Sequence, residues 1–119
     1  MQRGNIGAKF ALVTEHWRPA AVAELNGQHV RVVKLKGEFP WHSHADADEM
    51  FLVWKGEMRV EFRDRVETLR AGDFLVVPRG VEHRTAADEE AEALIFEPAE
   101  VVNTGDAGVS EFTAEVGRI

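Results

Sequence analysis

A chain of 119 residues has room for one domain built round one hydrophobic core, so residues 1–119 are expected to form a single domain. The net charge is -7 and the fourteen Lys and Arg are scattered, which excludes the clustered basic footprint that a nucleic-acid backbone requires. The chain has no cysteine, which excludes disulfides and thiolate chemistry, and its longest apolar run, Met50 to Trp54, is far too short to span a bilayer. No signal-peptide core follows the N-terminus. These features predict a soluble cytoplasmic protein with neither nucleic acid nor membrane as a partner.

In chain order, residues 1–9, with Gly4 and Gly7, read as a loose arm. Phe10 to Trp17 has room for a short helical turn before Pro19. Val22 to Leu25 reads as an edge strand, and Asn26-Gly27 as the hairpin turn into a β-branched strand from Gln28 to Lys36. Gly37 and Pro40 end that strand, and Phe39 to His44 is a short extended piece. After a turn at Ala45–Asp48, Glu49 to Trp54 is apolar at every position past the first, which predicts cover on both faces. Met58 to Arg63 alternates as a strand with one wet face. Val66 to Arg70 and Phe74 to Val77 follow, separated by turns. Glu82 to Thr85 reads as short and extended, Asp88 to Glu90 as an acidic turn, and Ala93 to Phe96 as the last good strand. Beyond Glu97 the chain reads as irregular. Many short strands between Gly, Pro and Asp turns make this an all-β fold, a sandwich or small barrel.

Four side chains carry the chemistry. His42 and His44 are two residues apart, so on an extended segment both imidazoles point the same way. The Ala45–Asp48 turn resets parity, letting Glu49 open the next strand towards the same interior, with Phe51 and Val53 above it. His83 arrives from a second segment after the rigid Pro78-Arg79-Gly80 turn. Three imidazoles and one carboxylate suit a divalent first-row ion (Mn, Fe, Co, Ni, Cu or Zn) with a position left open for water or substrate.

The spacing of these residues resembles that of the cupin superfamily. Gly37, His42, His44, Glu49 and Gly56 fall on its first motif (residues 37–56), and Gly72, Pro78, Gly80 and His83 on its second (residues 72–87). The gap from Gly37 to His42 is one residue shorter than in the usual pattern, and Ala87 stands where that pattern has asparagine. The resemblance implies a small jelly-roll β-barrel, a metal held by His42, His44, Glu49 and His83, and frequent homodimerisation.

Cupins serve many functions, so the reaction must be argued from the site. No nucleophile elbow or phosphate-binding glycine loop is present. His16 and His29 read as surface or packing residues. Arg79 and Arg84 flank His83 and are candidates to hold an anion; Phe51, Val53, Phe62 and Phe74 are candidates for an apolar pocket wall. Two functions stay open. One is an enzyme with isomerase- or dioxygenase-like chemistry on a small oxygen-bearing substrate, in which Glu49 is ligand or base. The other is a module that binds a small sugar or acid without turnover. The complete ligand set, with no appended reporter domain, favours the enzyme. Met50, Leu52, Trp54 and Trp41 are expected to face outward together, which predicts a homodimer unless Phe10 to Leu25 covers that face.

Overall fold

The computed structural model describes residues 1–119. A five-residue helix, α1 (Ile6–Phe10), precedes eight strands: β1 (Ala20–Leu25), β2 (Gln28–Glu38), β3 (Glu49–Lys55), β4 (Glu57–Phe62), β5 (Val66–Arg70), β6 (Phe74–Val77), β7 (His83–Pro98) and β8 (Gly117–Arg118). The hairpin between β1 and β2 forms at Asn26-Gly27, where both residues take positive φ, 53° and 76°. This is the backbone that a two-residue turn needs to match strand twist.

The fold turns on β7. Its first residues, His83 to Ala86, pair with β4, whereas Glu92 to Phe96 pair with β3. Along its other edge β7 is antiparallel to β2 from Pro98 back to Ala86, with one irregularity opposite Asp88 to Glu90. One strand thus passes between two layers: β5 and β4 lie on one side, and β3 and β6 on the other. The sheet folds over on itself as a jelly roll without closing. Between the layers lies the main core, in which Val33 and Leu35 of β2, Phe51 and Val53 of β3, Met58, Val60 and Phe62 of β4, and Ala91, Ala93 and Ile95 of β7 are all buried. The parity predicted for β3 and β4 holds in each case.

Three local expectations are corrected. Asp88 to Glu90 are exposed, but they are not a turn: they lie mid-strand in β7, where it crosses between layers and its side chains project into solvent. Gly37 does not end β2. It takes φ 86° where Lys36 alone stands opposite Asp88 to Glu90 of β7, and pairing resumes at Gly37 and Glu38. The helix falls earlier than expected, inside the N-terminal arm, because the Asn5 side chain accepts the Ala8 N–H and caps it.

That helix brings Phe10 onto the outer sheet face. Phe10 and Val13 are buried with Val32 and Leu94, against half-buried Leu52 and Phe96. The N-terminal segment therefore covers the middle of the face but not its β6 edge. Phe74, Val76 and Trp54 remain 65%, 50% and 47% exposed. Phe74 is accordingly no pocket wall. Trp41 does not extend the bare patch either. It lies half-buried, with the Arg63 guanidinium 3.8 Å and that of Arg84 5.1 Å from its ring centroid.

Candidate metal centre

Two loops are tied together to make the site. His42 and His83 form an antiparallel bridge in which each N–H donates to the other's carbonyl at 2.9 Å. The Gly80 N–H donates to the His44 carbonyl at 2.8 Å, and the Arg79 N–H to Asp48 Oδ1 at 2.8 Å. Pro78-Arg79-Gly80 thus docks on the first motif through its backbone. Asp48, read as a turn former, also clasps the second motif. The Arg79 N–H and guanidinium hold the Asp48 carboxyl below its ordinary value.

These ties bring His42, His44, Glu49 and His83 together. Their ligand atoms all lie within 4.8 Å of one another, and the four side chains are buried. Ligands on opposite sides of one ion at about 2.1 Å are roughly 4.2 Å apart, so one ion can bridge this set with small closing movements.

The hydrogen bonds fix how the rings present themselves. Nδ1 of His42 lies 2.9 Å from the Pro40 carbonyl, and Nδ1 of His83 lies 2.9 Å from the Val81 carbonyl. A carbonyl only accepts, so each Nδ1 carries the proton and each Nε2 turns a lone pair to the cluster. Nε2 of His83 then faces Glu49 Oε1 at 3.1 Å, and Nε2 of His44 lies 3.6 Å from the same oxygen. His44 Nε2 has no hydrogen-bond partner although it is buried. A carboxylate oxygen facing neutral ring nitrogens is unfavourable without a proton or a cation between them. The donor set therefore fits a divalent ion.

The electrostatics agree. Burial, reinforced by repulsion from His83, lowers the His42 pKa from 6.5 to about 4, which keeps the ring neutral. Burial pushes Glu49 up, but its neighbours Glu97, His44 and His83 outweigh it and hold the carboxyl well below its ordinary value. Glu97 moves the other way. Burial and its contact with Glu49 raise it strongly, against the opposing pull of Arg31. The opposite shifts favour an ionised Glu49 beside a neutral Glu97.

Glu97 and Arg31 are site residues that the sequence reading missed. Arg31 is fully buried and donates to Glu97 Oε1 at 2.6 Å, to the carbonyls of Val101 and Ala99 at 3.0 and 2.9 Å, and to His29 Nδ1 at 3.2 Å. A signal was available. Arg31 and Glu97 occupy the inward parity of otherwise apolar strands, alongside Val33 and Ile95. A cavity of about 30 Å³ adjoins the cluster, bounded by Phe39, Phe51, Ile95 and Thr85 together with Glu97 and Asn103.

Of the other candidates, Phe51 lines this cavity, whereas Val53 and Phe62 are core. Arg79 and Arg84 are not free to hold an anion there. Arg79 pairs with Asp48, and Arg84 pairs with Glu61 at 2.9 Å and Glu38 at 3.1 Å. His16 lies at the surface 2.8 Å from Glu90, and His29 sits against Arg31 and Glu24, both outside the cluster.

The fold and site define a small β-structured domain with a three-histidine, one-glutamate cluster. The cupin-domain family model matches residues 29–98, and the chain belongs to that family. The chain is 47% identical to a cupin-2 domain containing protein from Shewanella frigidimarina, with a TM-score of 0.78 over 79% of this chain and 92% of that one. Protein NMB1881 from Neisseria meningitidis is 30% identical with a TM-score of 0.76, over 82% of this chain and 99% of that one. Among curated proteins, the uncharacterized protein YdbB of Bacillus subtilis is 41% identical over 66 residues, 55% of this chain and 58% of YdbB. The chain spans about half the length of the curated relatives it matches. No helix is long and apolar enough to cross a membrane.

Proposed function

We propose that the chain is a metal-dependent enzyme acting on a small oxygen-bearing substrate, with isomerase- or dioxygenase-like chemistry at a centre formed by His42, His44, Glu49 and His83. The observation that carries this reading is the ring orientation. The two rings whose Nδ1–H groups are anchored to carbonyls, His42 and His83, turn their Nε2 lone pairs to the cluster, and that of His83 faces Glu49 Oε1. A divalent ion held there would supply Lewis acidity towards a substrate oxygen, or dioxygen binding if it is iron. Glu49 is given the catalytic role because it is ionised and reaches the cavity, where it can hold the ion or take a proton from a bound hydroxyl. Phe39, Phe51 and Ile95 would exclude water from the bound molecule.

The decisive experiment is elemental analysis of protein purified without chelator, before and after loading with Mn, Fe, Co, Ni, Cu or Zn. The expected result is about one ion per chain. Protein that stays metal-free through loading refutes the reading. Oxygen-uptake and small-substrate screens on the loaded protein then separate turnover from simple binding.

The same reading includes a cytoplasmic homodimer. The bare edge formed by Phe74, Val76 and Trp54 supports a second copy as its cover, since β6 is paired on one side only.

A further inference from the structure

Residues 99–119 follow β7 and lie outside the segment matched by the family model. They carry little regular structure, a 3-10 turn at Gly105–Ala107 and the two residues of β8. They nevertheless cross the candidate metal centre. Gly105, at φ 52°, lays its backbone directly on two of the imidazoles. A Cβ there would meet the Ser43 carbonyl at 2.3 Å, His42 Cδ2 at 3.0 Å and His44 Cε1 at 3.1 Å, so only glycine fits.

Asp106 clasps this contact to the residue between the two histidines. Its Oδ1 accepts the Ser43 N–H at 2.7 Å, its Oδ2 accepts the Ser43 hydroxyl at 2.9 Å, and its own N–H donates to the Ser43 carbonyl at 3.1 Å. Further along, Phe112 meets Phe39 and Trp17 edge-on, with ring centroids 5.4 and 6.3 Å away. Asn103 reaches the cavity wall, but its amide is spent within the segment, on the Phe112 carbonyl and the Ala114 N–H. Both ends are anchored: Arg31 holds the carbonyls of Ala99 and Val101, and β8 pairs with β1. Between the anchors, besides the buried Thr104, the hold is mostly exposed hydrogen bonds, Asp106 on Ser43 and Arg18 on the Thr113 and Glu111 carbonyls, with one aromatic ring, which leaves the segment able to open locally.

With this cover in place the four ligand side chains are buried. His42, His44, Glu49 and His83 are 4%, 8%, 4% and 0% exposed, and the adjoining cavity of about 30 Å³ accommodates little more than a water or two. We propose that residues 102–116 form a strap that gates the metal centre, latched by Asp106 on Ser43, and that ligands of more than a few atoms reach the metal only when the latch is open. This inference rests on the metal reading given above.

The test is zinc extraction by EDTA from the loaded full chain. Extraction from the wild type is expected to be slow and to reach a plateau rate as chelator rises, because strap opening limits it. Asp106→Ala removes two hydrogen bonds and is expected to extract about tenfold faster, the equivalent of roughly 1.4 kcal/mol. Its equilibrium zinc affinity should change less than about threefold, since a gate speeds entry and exit together. An unchanged rate, or a rate and a dissociation constant that rise by the same factor, overturns the gate. Amide exchange on the wild type decides the matter if the variant does not fold. The Gly105, Asp106 and Ala107 amides should exchange through an opening that leaves β7 protected, whereas protection equal to that of β7 overturns the strap. Failure of the wild type to take up zinc counts against the metal reading alone, and amide exchange still decides the strap.

Discussion

His83 Nε2 lies 3.1 Å from Glu49 Oε1, across 34 residues of sequence, and both groups are buried. The Val81 carbonyl has already claimed the other nitrogen of His83. The contact therefore sets a lone pair against a carboxylate, the geometry that a shared cation relieves. His83→Ala is expected to weaken metal affinity by about 100-fold or more, as loss of one of four ligands. His16→Ala and His29→Ala, outside the cluster, should leave affinity within about twofold. Competition titration with a chromophoric chelator measures all three. Equal losses would show that the ligand set is misassigned.

Removal of metal should leave the fold intact, because the main core of thirteen buried residues is apolar and includes none of the four ligands. The metal-free protein should then show a defined pH dependence. His42 titrates at about 4 in the fold against an ordinary 6.5, so on acidification the unfolded chain takes up its proton first. The contribution of His42 to stability is complete above pH 6.5 and is lost as pH falls towards 4. The shift corresponds to about 3 kcal/mol. Urea unfolding of the chelator-treated protein across this range measures it. Circular dichroism showing unfolding by chelator at neutral pH would instead make the metal structural.

Arg31→Met should destabilise the protein by about 3 kcal/mol, since it leaves Glu97 and the Ala99 and Val101 carbonyls without their donor in a buried setting. Glu97→Gln, which keeps an acceptor for Arg31, should cost less, about 1 kcal/mol. Chemical denaturation of the two variants gives the comparison. A larger loss for Glu97→Gln would contradict the neutral state assigned to Glu97.

If the β6 edge is a dimer interface, Phe74→Glu and Trp54→Glu should each convert the protein to monomer at micromolar concentration while its circular dichroism is preserved. Light scattering measures the change. A wild-type species at 13.3 kDa would refute the dimer outright.

Much of the architecture is legible from local sequence because its causes are local. Alternation fixes which side chains of β3 and β4 turn inward, since the strand period is two. Asn26-Gly27 specifies its hairpin because both residues tolerate positive φ. His42, His44, Glu49 and His83 could be named in advance because two short motifs hold them, each with its own turn. What the sequence left open depended on residues distant in the chain. Asp88 to Glu90 have the composition of a turn, and only the pairing of Ala87 and Ala91 on either side of them with β2 carries the strand through. Arg79, Arg84 and Trp41 gain their partners from other segments of the chain, which decides that none is free. Arg31 and Glu97 are 66 residues apart, so their buried pairing arises only when β2 meets β7. The C-terminal residues carry no periodicity to read. Their place over the histidines is set by a glycine backbone and by Asp106 on Ser43, contacts between segments about sixty residues apart that exist only in the folded chain.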